Sequence, residues 1–239
     1  MASSTTDGNG ICNDDRKRAP LHSLTSMKSR NVVGLLAVLL LAGAAWLIWR
    51  NTDGPKVNLR PSAAVGEVLA EEVNRLLGGK GTIVILSRQP FADVPDANGQ
   101  RIEAFTAAVR KAHGLKVAPL DWLPRPPMGT MDLGTVSAEQ LLAAFDKNSE
   151  AGAFLILAGM PPFSEAIAAK VKARSLKLIA VCGYSAHVKR WLQSEALAAA
   201  VVPRFGELPP GTPEPKSARD WFDREYQLFT PATLSQLPY

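Results

Sequence analysis

The stretch GAFLILAGMPPFSEAIAAKV, residues 152–171, decides the reading of this chain. AFLILAG (153–159) is a continuous apolar run rather than an alternating one, as a strand covered on both faces requires. Gly159 stops it, and PFSEAIAAKVKAR predicts a helix over 162–174, with Pro162 suited to the first turn because its missing N–H has no partner there anyway. The loop between them, Gly-Met-Pro-Pro-Phe-Ser, has two readings, a ligand-holding loop or a plain turn, and the turn suffices to explain its residues.

The same rhythm extends in both directions. Upstream, TIVIL (82–86) reads as a strand, and QRIEAFTAAVRKAHG (100–114) sets Ile102, Phe105 and Val109 at helical spacing before a Gly114 stop. LKVAPLD (115–121) follows as a second strand, and SAEQLLAAFDKN (137–148) opens a helix with the capping-box pair Ser137 and Gln140. Downstream, LKLIAVC (176–182), AHVKRWLQSEA (186–196) and LAAAVVP (197–203) supply a fourth strand, a helix and a fifth strand. Strands that alternate with helices pair in parallel, since each crossover returns the chain to the same end of the sheet. The expected fold class is therefore α/β, an open, doubly wound, mainly parallel five-stranded sheet over residues 80–205.

Flanking segments differ in composition. Residues 50–62 read as a linker, and 63–77 as an amphipathic helix with Val65, Val68, Leu69, Val73, Leu76 and Leu77 on one stripe, either packed on the domain or forming a stalk. Residues 206–239 are expected to be a Pro-rich arm and a docking helix (217–229), with Ser217 as N-cap and Trp221, Phe222, Tyr226 and Phe229 as its anchors.

Near the N-terminus, VVGLLAVLLLAGAAWLIW (32–49) is uncharged, about the shortest run that spans a bilayer. Arg16-Lys17-Arg18, Lys28 and Arg30 precede it, which predicts a cytoplasmic tail (1–31), a single-pass signal-anchor and an extracytoplasmic, periplasmic main domain at a bacterial-type membrane. The competing reading is a cleaved signal peptide ending near Ala42-Gly43-Ala44, and Met27 is an alternative start. Trp46-Leu47-Ile48-Trp49 continue the apolar run past that site and favour the anchor. The 239 residues are 46% hydrophobic with net charge +5, enough for a core and too mild a charge for a nucleic-acid surface, for which no motif exists either. Two cysteines, one in the tail and one closing a strand, do not make a disulfide framework.

The succession of EAFTAAVRKAHGLKVAPLD (103–121), SAEQLLAAFDKNSEAGAFLILAG (137–159) and LKLIAVCG (176–183) resembles the N-terminal lobe of type I periplasmic sugar-binding proteins and their repressor relatives. The resemblance covers roughly 80–205. It implies a non-enzymatic lobe whose third loop faces a ligand, clamped in that family between two lobes. About 35 residues follow the fifth strand, too few for a second α/β lobe, so a partner or a second copy is expected to supply the other face.

Ligands of open α/β sheets bind beyond the strands' carboxyl ends. That rule selects Ser87, Arg88 and Gln89 after the first strand, and Asp121 and Trp122 after the second. It adds Met160, Phe163 and Ser164 after the third, Tyr184 and Ser185 after the fourth, and Arg204 after the fifth. Polar groups beside aromatic faces suit a small, polar, sugar-like ligand, although ordinary loop residues have the same composition.

Sharper chemistries fail. GGKGT (78–82) precedes a strand where a phosphate loop must follow one, no G-x-G-x-x-G follows a strand, and no G-x-S-x-G elbow exists. His22, His113 and His187 are scattered, so no metal or other cofactor is expected. Cys182 reads as a small core residue, and Lys170, Lys172, Arg174 and Lys177 as a solvated helix face. The leading expectation is ligand binding without catalysis. An envelope assembly protein that uses the lobe and aromatic helix as partner surfaces is the alternative, and an unrecognised enzyme the third.

Overall fold

A computed structural model describes residues 26–51, 57–89, 96–124, 135–183, 186–204, 206 and 211–237. The tail before Ser26, Tyr184 and Ser185 lie outside the described residues. Two compact units are formed, Met1–Lys56 and Val57–Tyr239.

In the first unit, α1 (Ser26–Asn51) is a helix whose described side chains, residues 34–47, include the exposed Leu35, Leu36, Leu39, Leu40 and Leu41. Among the described residues no helix is long and apolar enough to cross a membrane, so the span expected at 32–49 is not shown.

The second unit is built on one sheet. Its strands are β1 (Gly81–Arg88), β2 (Leu115–Val117), β3 (Asp121–Leu123), β4 (Ala153–Ile156), β5 (Lys177–Val181), β6 (Leu197–Pro203) and β7 (Tyr226–Phe229). They lie in the order β2-β1-β4-β5-β6-β7, with β3 also beside β1. All pairs are parallel except β6–β7, where Pro203 faces Tyr226 and Ala200 faces Phe229.

Both faces are covered, which explains the continuous apolar runs. Val84, Leu86, Phe154, Ile156, Leu178 and Ala180 meet α4 (Ala138–Lys147), α5 (Glu165–Ala173) and α6 (Ala186–Gln193). Ile83, Ile85, Leu155, Ile179 and Val201 meet α2 (Arg60–Leu77), α3 (Ala97–Lys111) and α7 (Ala218–Glu225). Each fully buried Val, Leu, Ile or Phe among them contributes about 1.5–3 kcal/mol of transfer free energy. Phe145 of α4 and Phe154 of β4 add an edge-to-face contact at 4.8 Å.

The amphipathic stripe of α2 is packed on the domain, not a stalk: Val65, Leu69 and Val73 are fully buried. Gly66 lets α2 approach α3 closely, since a Cβ there would meet the Arg101 carbonyl and stand 2.8 Å from the Phe105 nitrogen. The capping box expected at Ser137 and the N-cap expected at Ser217 both form, the latter also as a box: Gln140 N–H donates to Ser137 Oγ at 3.1 Å, and Asp220 N–H donates to Ser217 Oγ at 3.1 Å.

Five expectations are corrected. The sheet has seven strands rather than five. LKVAPLD is not one strand, because Pro119 has no N–H for the ladder, so β2 ends at Val117 and pairing resumes only at Asp121. Residues 217–229 are not one helix: α7 stops at Glu225, and Tyr-Gln-Leu-Phe, a β-favouring run, pairs with the otherwise open edge of β6. The helix after β4 begins at Glu165 rather than at Pro162, because Ser164 is its N-cap and accepts from Ile167 N–H at 3.5 Å. Arg174 does not lie on a solvated face. Its guanidinium donates to the Phe145 and Ser149 carbonyls, both at 2.6 Å, and so closes the C-terminal end of α4.

Candidate functional site

The parallel strands present their carboxyl ends to one edge of the sheet. Because β7 runs the other way, its first residue, Tyr226, reaches that same edge beside Pro203. The connections leaving β1 and β4 go to opposite sides, α3 covering one face and α5 the other, and such a divergence leaves a crevice. A cavity of about 550 Å³ lies there. Its floor is Leu157, Ala158, Gly159 and Met160 after β4, and Val181, Cys182 and Gly183 at the end of β5. Asn98 and Arg101 of α3, Thr135, and Tyr226 supply most of its polar side chains.

Local structure fixes each of these. Gly159 has φ +74°, and its Cβ position would stand 3.3 Å from Thr135 Cγ2, so the bend from β4 into the floor favours glycine. The carbonyl of Gly159 accepts from Val136 N–H at 3.3 Å, tying the floor to the segment before α4. Asp96 caps α3, taking Asn98 N–H and Gly99 N–H at 2.9 Å each. Asn98 Oδ1 then accepts from Arg101 Nη1 at 2.7 Å, and Tyr226 Oη accepts from Arg101 Nη2 at 3.2 Å. The guanidinium also lies 5.9 Å from the centre of the Tyr226 ring. Burial pushes the Cys182 thiol up to about 12, opposed by a hydrogen bond with the Met160 backbone, so this sulfur is a neutral wall and not a nucleophile. Among the described residues no group of three or more His, Cys, Asp or Glu side chains gathers to hold a metal.

Most candidates chosen from sequence are placed elsewhere. Arg88 donates from Nη1 to the Pro124 carbonyl at 2.9 Å and from Nη2 to the Thr135 carbonyl at 2.7 Å, bridging the two ends of the long connection before α4. Ser87 is buried, its hydroxyl 3.4 Å from the Arg88 carbonyl, and Gln89 is exposed. Asp121 accepts from Lys147 Nζ at 2.7 Å and faces Asn148 at the end of α4. Trp122 is 40% exposed and lines neither this cavity nor its neighbour. Arg204 donates its backbone N–H to the Glu225 carbonyl at 2.7 Å, and its side chain is outside the cavity. Phe163 and Ser164 line a separate depression of about 610 Å³, formed with Pro161, Pro162 and the start of α4. Phe163 packs edge-on to Trp191 at 5.0 Å beneath Arg190, and Trp191 Nε1 donates to the Pro161 carbonyl at 3.0 Å. Of the described candidates, only Met160 lines the cavity.

A parallel sheet covered on both faces, with an antiparallel strand at one edge and a cleft at its carboxyl end, is an open α/β architecture. Sugar-binding proteins of known structure are similar to it at the level of fold. AraP, an arabinose-binding protein from Geobacillus stearothermophilus, superposes with a TM-score of 0.50 at 12% identity, over 74% of this chain and 63% of its own. An ABC transporter solute-binding protein from Agrobacterium vitis, bound to α-D-tagatopyranose, gives 0.49 at 15% identity over 74% and 61%. GanP, a glucose-galactose binding protein from Geobacillus stearothermophilus, gives 0.46 at 15% identity over 74% and 62%. The chain thus spans less than two thirds of the length of these sugar-binding proteins. No protein-family model matches the sequence, and no curated protein does.

Proposed function

We propose that residues 57–239 form a non-catalytic binding lobe that takes a small, polar, sugar-like ligand in the Arg101–Tyr226 cleft. The observation that carries this reading is the cleft itself. It lies at the carboxyl ends of β4, β5 and β6, and joins an apolar floor to convergent polar side chains. The AraP-like fold supports it. A partner or a second copy of the chain closes over the open cleft, and residues 32–49 tether the lobe as a single-pass anchor with the domain outside the cytoplasm. The apolar, uncharged composition of that segment and the basic residues before it support the tether.

The test is a thermal-shift screen of the full chain in detergent against neutral sugars, sugar acids and small polar metabolites. A ligand at a hundred times its Kd adds about 2.7 kcal/mol of stability and a clear rise in Tm. Absence of any shift, together with stable association with another envelope protein, would replace ligand binding by the assembly role.

A further inference from the structure

The geometry points to a ligand that carries a carboxylate, a sugar acid rather than a neutral sugar, held by Arg101. This rests on the cleft being the ligand site, and it follows from how charge is balanced there. A guanidinium has five N–H donors. Those of Arg101 engage Asn98 Oδ1 through Nη1 and Tyr226 Oη through Nη2, so each terminal nitrogen keeps one N–H, and Nε, shielded from solvent, meets no acceptor. Among the described residues no carboxylate pairs with Arg101. Its nearest acid along the chain, Glu103, accepts from Gln100 Nε2 at 3.1 Å, and Asp96 spends both oxygens on the first amides of α3.

A half-buried cation without a counter-ion is costly unless something anionic completes it. The N–H groups left on the terminal nitrogens are the donors a carboxylate's two oxygens take from a guanidinium. Arg101 is also the single charged residue among the described ones lining the cavity. One positive charge matches a carboxylate; a phosphate monoester carries about −1.5 to −2 and calls for more than one cation. Asn98 and Thr135 remain to meet hydroxyl groups, and the Leu157–Met160 floor to meet the apolar face of a sugar ring.

The experiment compares matched pairs by calorimetry on the full chain in detergent: D-galactose against D-galacturonate, and D-glucose against D-glucuronate. The uronate of at least one pair is expected to bind about tenfold or more tightly than its neutral partner, the worth of one charge-assisted contact. Arg101→Gln should abolish that preference, and in the unaltered protein the preference should shrink as salt is raised. Equal or tighter binding of the neutral sugars overturns the carboxylate while keeping the cleft as a sugar site. A preference for the uronate that survives Arg101→Gln in a variant with native circular dichroism overturns the role of Arg101. Failure of every sugar and uronate to bind overturns both this inference and the binding function beneath it.

Discussion

At the sheet's carboxyl edge, the side chains toward α4 and α5 are spent on the protein itself. Arg88 holds two carbonyls, Asp121 holds Lys147, Ser164 caps α5 and Phe163 packs on Trp191. Toward α3 and β7 the accounting is different, because among the described residues the Arg101 guanidinium bonds to Asn98 and Tyr226 and keeps donors in reserve. The two depressions are similar in volume, about 610 and 550 Å³, so size does not separate a site from a packing gap. Unspent hydrogen-bonding capacity does, because a satisfied polar group has little left to offer a ligand.

The sharpest way to break this comparison is at Trp191. Trp191→Ala removes a fully buried ring, its contact with Phe163 and its bond to the Pro161 carbonyl, and should cost about 3–5 kcal/mol in urea unfolding. A loss below 1 kcal/mol would mean that the α5–α6 side is not the rigid one. Next in size is the floor of the cleft. With its thiol pushed up to about 12, Cys182 should react with iodoacetamide at pH 8 on the order of a thousandfold more slowly than an ordinary cysteine. Rapid labelling confined to Cys182, read by peptide mass mapping, would show a floor more open than described.

Arg88→Ala should lower stability by about 1.5–3 kcal/mol through its two carbonyl contacts, and Trp122→Ala by less than about 0.5 kcal/mol. Equal losses in chemical denaturation would contradict the clamp. The smallest effect is at α7. Hydrogen bonds from Ser217 and Lys216 hold the Asp220 carboxyl below its ordinary value. A depressed carboxyl stabilises the fold above its unfolded pKa of about 3.9, and that contribution is lost as pH falls through the folded value. An NMR titration of Asp220 with a midpoint at or above 3.9 would remove the capping effect.

Much of the fold was legible in the sequence because burial on both faces writes strands as unbroken apolar runs: AFLILAG and LAAAVVP each hold a strand, and Ser137 and Ser217 cap as their spacing implies. What escaped were features set by distant pairing. Tyr226–Phe229 continues the apparent helix of SARDWFDREYQLF, and only the open edge of β6 makes it a strand. That misreading also hid the site. Tyr226 lies 125 positions from Arg101, and the antiparallel turn into β7 is what brings their side chains together. Arg101 was missed because attention to the residues just after each strand stops short of the next helix's second turn. The same rule chose Arg88 and Asp121, but position says nothing of what a side chain already holds.

The comparison comes to one measurement: the Kd of whichever sugar or sugar acid binds, by calorimetry, in four variants that probe the two depressions separately. Arg101→Ala and Asn98→Ala should weaken binding about tenfold or more, while Phe163→Ala and Ser164→Ala leave it within about twofold. Weakened binding in the Phe163 and Ser164 variants, with Arg101→Ala and Asn98→Ala unchanged, would place the ligand in the other depression and contradict the account.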